Sequence, residues 1–378
     1  VRRAHGLGEG RQRGGRDRPM KILVAGINIR HIAASASRAG HEVIAADCYC
    51  DRDLSLWAKE TIRLPRQRPE KCLVRLVQEH RPDAVVLGPG LEQARIKGAP
   101  VLNNLPEKTS QVSDKLWLAS WLEREGYPFI RTQASPEGLP YPFLVKPRWG
   151  AGGVGCCAVR STDDLKWQDG LIAQELISGQ PASVSVIGNG SGARAIAVNE
   201  QLIGLSWAGA RGYRYSGNIT PLVAPQRQLA DMAAMAESII AGLGLVGSNG
   251  VDFLLGEMGP VPVEVNSRFQ GSLDSVEMAY AVNVFQAHLQ SFSGLLPDPP
   301  GPSLCTAGRI ILYAPSPLGI DADLLCRWTA DVPVMGSRIE PDDPVLSITS
   351  QGAGREAVLS CLKGRAAKLG RLLKTEWG

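Results

Sequence analysis

The chain has 378 residues, 44% hydrophobic and 21% charged, with 41 Lys and Arg against 37 Asp and Glu; that length buries a core and accommodates two or three domains. Its formal charge of +4 argues for no nucleic-acid-binding body, because residues 1–19, with six Arg against Glu9 and Asp17, hold all of it. No run of 18 apolar residues offers a membrane span.

Residues 1–19 read as a disordered basic tail: five Gly and almost no apolar side chain cannot bury enough surface to fold. The tail has neither the apolar segment of a secretory signal nor the Ser content of a transit peptide. A good strand, MKILVAGI, opens at Met20, so an upstream start is the expected origin of the preceding residues. Eight Cys without a CxxC pair or a His-rich zinc spacing read as free buried thiols in a reducing cytoplasm.

From Lys21 to Gly26 an apolar run predicts a buried strand, NIRHIAASASRAG a helix, and HEVIAAD a second strand ending at Asp47. EKCLVRLVQEHRPD has helical spacing and AVVLGPG reads as a third strand. Buried strands alternating with helices predict an α/β domain over 20–110 with a doubly wound parallel sheet. The glycine fingerprint of a dinucleotide site is missing after Gly26. A substrate cleft at the strand ends is expected instead, at 26–30, 47–50 and 88–92, with Glu92 in it.

The central region, 111–298, opens with the helix SDKLWLASWLEREG, for which Ser113 is the expected N-cap. YPFLVKPRWGAGGVGCCAV reads as strand, glycine loop, strand, and GLIAQELI as a further strand. ASVSVIGNGSGARAIAVNEQLIGL alternates as an antiparallel pair, QRQLADMAAMAESIIAG is a helix, and GVDFLLGEMGPVPVEVN is a hairpin. A Pro- and Gly-rich linker follows, and 299–378 holds strands at RIILYAP and PVLSITS and a basic helix from Arg355 to Lys374.

Four features carry chemistry. Lys115 lies on the first central helix, and Lys146 ends a strand that runs directly into Gly150, Gly152, Gly153 and Gly155. Backbone N–H groups of such a loop can approach phosphate oxygens and the lysines neutralise them, although a glycine loop alone is as often a plain turn. The segment Gln174, Glu175, Leu176 and Ile177 offers backbone groups to an adenine edge, or is a strand end with a solvated Glu. Glu264 and Asn266 are i and i+2 and share a face, and the hairpin can bring Asp252 opposite them. Two carboxylates and an amide oxygen are hard ligands suited to Mg²⁺, and Arg268 follows on the same face. The apolar alternates Val263 and Val265 argue against a merely solvated hairpin.

In this order, over about 20–300, the motifs VKPxxGAGGxG and DF…EVNxR resemble the ATP-grasp superfamily. The resemblance implies an ATP-grasp fold: two α+β subdomains, about 111–180 and 181–298, clamp ATP behind the N-terminal domain, and 299–378 completes the larger one. It implies ATP with Mg²⁺ or Mn²⁺ as cofactors. Lys115, Lys146 and the glycine loop would bind phosphates, Gln174 to Ile177 adenine, and Asp252, Glu264 and Asn266 the metal; Arg268 and Lys146 would serve the transferring phosphoryl group. The acidic residue that many members use for the ribose is absent; Pro181 stands there. The reaction so implied activates a carboxylate as an acyl-phosphate and passes it to an amine, which needs positioning and charge neutralisation more than acid–base groups.

For substrate binding, the segment from Trp207 to Pro221 supplies Arg211, Arg214, Tyr215 and Asn218: Arg pairs with carboxylates and Tyr stacks on aromatic groups. GQPASVSV, the GNITP loop and RIILYAP look similar to the tyramine–glutamate ligases of methanofuran-type cofactor synthesis, which would make glutamate the acid and an aromatic or glutamyl amine the acceptor. A bicarbonate-activating enzyme of the biotin-carboxylase type, or a non-catalytic ATP-binding subunit, are the alternatives. The expected partners are small-molecule acid and amine, with a homodimer admitted, and neither nucleic acid nor membrane.

Overall fold

The computed structural model describes residues 18–65 and 67–377. The tail expectation for residues 1–17 lies outside them. Four parallel strands, β1 (Lys21–Gly26), β2 (Glu42–Asp47), β3 (Glu60–Arg63) and β4 (Ala84–Leu87), form a first sheet in the order β3-β2-β1-β4. Alternate side chains point to opposite faces. Ile22 and Val24 pack on Ile32, Ala33 and Ala36 of α1 (Arg30–Arg38), while Leu23 and Ala25 pack on Leu73, Leu76 and Val77 of α2 (Pro69–His80). Helices on both faces explain the near-continuous apolar runs of β1 and β4.

After α3 (Pro106–Ser113) and α4 (Lys115–Arg124), a small antiparallel sheet forms in the order β5-β8-β6-β7 from β5 (Thr132–Gln133), β6 (Phe143–Pro147), β7 (Cys157–Val159) and β8 (Leu171–Glu175). The α4 cap is Asp114, not Ser113: its carboxylate accepts from the backbone N–H of Leu116 and Trp117, whereas Ser113 ends α3 with its hydroxyl on the Thr109 carbonyl. An aspartate one residue later offers the stronger acceptor at the positive helix end.

An eight-stranded antiparallel sheet organises the rest. It comprises β9 (Gln180–Asn189), β10 (Ala193–Ile203), β11 (Tyr215–Thr220), β12 (Val246–Gly256), β13 (Gly259–Asn266), β14 (Thr306–Tyr313), a two-residue strand at Thr329–Ala330, and a last long strand, Pro344–Gly352. The residues after the Pro-rich linker therefore belong to the same sheet as β9–β13, with β14 paired to β11. Helix α5 (Gln226–Gly242), together with α4, covers one part of this sheet through Ile239, Ile240 and Trp121. Helices α6 (Leu273–Tyr280) and α7 (Val284–Ser291) bring Val276 and Phe285, with Phe269 from the preceding loop, against α1 and the first sheet. A closing helix, α8 (Arg355–Leu373), seats Val358, Leu362 and Ala366 on Ile310 and Ile348.

No described helix is long and apolar enough to cross a membrane. All eight Cys are free, but only Cys48 is buried; Cys157, Cys326 and Cys361 are exposed, so the expectation of buried thiols holds for one position.

Candidate active site

One cavity of about 440 Å³ lies where the three main pieces meet. Ile27, Asn28, Tyr49, Asp51 and Pro89 line it from the ends of β1, β2 and β4, and Gly152 and Gly153 from the glycine loop. Asp252, Glu264, Asn266 and Arg268 line it from the β12–β13 hairpin. Parallel strands splay open beyond their carboxyl ends, which is why ligands collect there.

The hairpin register places Asp252 opposite Glu264 and Gly250 opposite Asn266. Asn266 Nδ2 donates to Asp252 Oδ2 at 3.2 Å. Burial, and then the neighbouring Glu264, push the Asp252 carboxyl up to about 7. Two acids thus face each other with too little positive charge between them, and a divalent cation would relieve that repulsion. The cationic side is close by. Lys115, nearly buried at the start of α4, stands 3.8 Å from Glu264 Oε2 and donates to the Gly150 carbonyl at 2.7 Å. Lys146, at the end of β6, is buried and donates to Gln174 Oε1 at 2.7 Å. Burial lowers its ammonium to about 8, against the pull of Glu264.

The glycine loop is tied at its root: Arg148 forks onto Asp114 at 2.8 and 2.5 Å. At its tip the Gly152 carbonyl accepts from Tyr215 N–H at 3.0 Å. A Cβ at Gly153, where φ is +73°, would lie 1.8 Å from the Tyr213 carbonyl oxygen, so only glycine fits. Gln174 is spent on Lys146 and on Thr132 Oγ1 at 2.7 Å; Glu175 beyond it is exposed, with Leu176 and Ile177 half-buried in the connection to β9, outside the walls of the cavity.

Three of the five residues expected to bind substrate are placed elsewhere. Asn218 is fully buried and donates to Ser275 Oγ and Thr220 Oγ1, because β11 is an inner strand whose polar face meets α6. Arg211 is exposed on the loop before β11 and does not reach the cavity wall. Glu92 pairs with Arg268 Nε at 2.7 Å instead of facing the cavity. Arg214 and Tyr215 do line it, Arg214 with its guanidinium 4.3 Å from the Tyr313 ring centre.

The sequence reading missed the floor. Arg30 forks onto Asp274 at 2.8 and 2.5 Å and reaches Asp331 at 3.1 Å, and Arg309 holds Asp331 at 2.6 Å. Burial alone would raise the Asp274 carboxyl, but Arg30 and Arg309 hold it at about 2. Arg309 and Asp331 line the cavity with His31, whose imidazolium burial disfavours, down to about 4. The available signal was weak: Arg309 is a charge inside the apolar run RIILY, and such a charge must find a buried partner.

Residues 112–272 match the family model of the ATP-grasp domain, and the chain has the ATP-grasp fold: a parallel-sheet unit, a small antiparallel sheet carrying the glycine loop, and a large antiparallel sheet carrying the acidic hairpin. Among relatives, an uncharacterized protein of Methanocaldococcus jannaschii is 27% identical over 292 residues, 70% of this chain and 72% of its own. The D-alanine–D-alanine ligase of Bordetella petrii is 26% identical over 179 residues, 42% of this chain; the match spans 55%, about half, of that ligase. Among solved structures, the biotin carboxylase domain of Hydrogenobacter thermophilus 2-oxoglutarate carboxylase, in complex with MgADP, ADP and bicarbonate, superposes with a TM-score of 0.75 at 16% identity, covering 93% of this chain and 90% of that one.

Proposed function

We propose that the protein is an ATP- and Mg²⁺-dependent ligase that joins a carboxylate to an amine. The observation that carries the reading is the meeting of Asp252, Glu264 and Asn266 on one hairpin face with Lys115 and Lys146 beside a glycine loop. The donor set fits the metal: two carboxylates that repel each other and an amide, all hard donors. When bound, the ion supplies charge neutralisation for triphosphate oxygens. Lys146 and Lys115 hold phosphate oxygens from the small-sheet side, and the backbone N–H groups of 150–155 close over them. Arg268, oriented by Glu92, presents its guanidinium to the transferring phosphoryl group. Arg214 pairs with the substrate carboxylate, for which glutamate is the first candidate, and the product amide belongs to methanofuran-type cofactor synthesis.

Phosphate release measured against amino acids and amines, with and without Mg²⁺, tests the reading. Turnover that needs both an acid and an amine supports it. Turnover with bicarbonate alone supports the carboxylase-type alternative, and ATP binding without any turnover supports a regulatory subunit.

A further inference from the structure

The small antiparallel sheet is apolar on one face and carries a polar row on the other. Phe143, Val145, Val159 and Ala173 form the apolar side. The polar side follows from the register: Gln174 on β8 stands across from Thr132 on β5 and from Leu144 on β6, and Lys146 is two residues beyond Leu144. Alternation therefore puts Thr132, Gln174 and Lys146 on one face, in a diagonal row over three strands.

The row is joined end to end. Lys146 Nζ donates to Gln174 Oε1 at 2.7 Å, Gln174 Nε2 donates to Thr132 Oγ1 at 2.7 Å, and the Thr132 hydroxyl donates to the Ile130 carbonyl at 2.8 Å. Each link determines the next. An ammonium has donors only, so the amide turns its oxygen to Lys146 and its nitrogen to Thr132, whose own proton is committed to Ile130. A chain with one direction polarises its members, and more strongly where water is excluded. Lys146 and Gln174 are each 4% exposed.

Among the described residues the Gln174 amide is the one hydrogen-bond partner of the ammonium, and Lys146 forms no ion pair; Glu264 of β13 pairs with Lys115 of α4 instead. Of the charged and titratable groups around Lys146, Glu264 and Cys156 favour its charge, while Lys115 opposes it, as does burial. Two of its three N–H groups are left for a ligand. Without the amide the buried cation would have no compensating acceptor, which favours the neutral amine.

We propose that Gln174 and Thr132 are positioning residues for Lys146: the oriented amide holds the ammonium charged and in place for phosphate oxygens, and Thr132 keeps the amide from turning over. This deepens the ligase reading and assigns the Gln174 side chain to the phosphate lysine. The hold on Lys146 exists without nucleotide; what the lysine then binds rests on that reading.

NMR of the full chain with carbon-labelled lysine side chains, free of nucleotide, tests the hold by following the Lys146 ε-carbon against pH, its signal assigned by its absence from Lys146→Met. Gln174→Leu is expected to lower the proton affinity of Lys146 about tenfold, the size of one charge-assisted hydrogen bond, and so to move the midpoint to lower pH. Gln174→Glu puts a carboxylate oxygen in the same place and is expected to move it higher. Thr132→Val keeps the shape but frees the amide, so it should move the midpoint down by less, and Thr132→Ser should leave it in place. A merely structural role would give one midpoint in every variant. MgATP affinity by calorimetry at pH 7.5 should fall about tenfold in Gln174→Leu and about threefold in Thr132→Val. Thr132→Val and Gln174→Glu carry the test if the leucine variant does not fold. An unmoved midpoint in Gln174→Leu and Thr132→Val, a shift of Gln174→Glu to lower pH, or MgATP affinity lost in Lys146→Met but kept in Gln174→Leu overturns the proposal. The phosphate role of Lys146 in the ligase reading fails by a different result: equal MgATP affinity in the parent and in Lys146→Met, which leaves the shifted midpoints intact.

Discussion

Replacing Arg30 by Met tests whether the buried charge network holds the first sheet to the rest of the molecule. The substitution keeps much of the stem's volume and removes a guanidinium bound to Asp274 at 2.8 and 2.5 Å and to Asp331 at 3.1 Å. Breaking a buried pair by removing one partner costs about 3–5 kcal/mol, since the other charge stays buried. Arg309 still stands 2.6 Å from Asp331 and 3.6 Å from Asp274, so the expected loss is near the lower end, about 3 kcal/mol. The pH dependence adds a second constraint. With its folded carboxyl held at about 2, below the ordinary 3.8, Asp274 contributes stability that is present above pH 4 and lost as pH falls toward 2. Without Arg30, burial dominates and the Asp274 carboxyl rises; the variant is then penalised most at neutral pH and recovers as the acid takes up a proton. Urea unfolding followed by tryptophan fluorescence at pH 7 and pH 4.5 reads both effects. A loss under about 1 kcal/mol at pH 7, or a gap as large at pH 4.5 as at pH 7, would refute the assignment of the network as a buried clasp.

Three further outcomes are expected. Glu264→Gln removes one of two mutually repelling acids, so it should lower ATP-dependent turnover by more than about tenfold, a barrier change above ~1.4 kcal/mol, with an unchanged or raised melting temperature; retained turnover contradicts the metal assignment. Gly153→Ala puts a Cβ on the Tyr213 carbonyl, whereas Gly152→Ala meets no atom within 4 Å, so nucleotide affinity measured by calorimetry should fall far more at position 153; equal losses would show that loop strain alone is at work. Burial holds Lys146 near 8, below the ordinary 10.5; its contribution to stability is therefore unfavourable below pH 8 and is relieved as pH rises toward 10.5. Lys146→Met should accordingly raise the melting temperature at pH 7, flatten that slope and abolish turnover; a lower melting temperature at pH 7 would contradict the burial penalty.

The amino-acid pattern was enough to locate the pieces. Continuous apolar runs at Lys21–Gly26 and Ala84–Leu87 marked strands covered on both faces, and they are. Alternation through GVDFLLG and GPVPVEVN marked a hairpin with Asp252 across from Glu264, because strand period and a short turn determine register locally. The run from Lys146 into the glycines marked a strand-end lysine beside a flexible loop, and the loop lies on the cavity wall. Such signals are legible because they depend on residues a few positions apart. Failures came where a side chain's partner lies far along the chain. Asn218 looked like a ligand in a Gly-rich segment, yet Ser275, 57 residues away, claims it. Glu92 looked like a cleft acid, yet Arg268 claims it. Arg30 and Asp331, 301 positions apart, gave no sign of each other. Periodicity reports which face of an element is buried, not which element covers it. Local sequence thus determined the strands, the loop and the acidic hairpin of this protein. Only the packing of α1, α6 and β14 around one cavity decided which charges cancel within the core, Arg30 against Asp274 and Arg309 against Asp331, and which carboxyl, Asp51, has no Lys or Arg ion pair among the described residues.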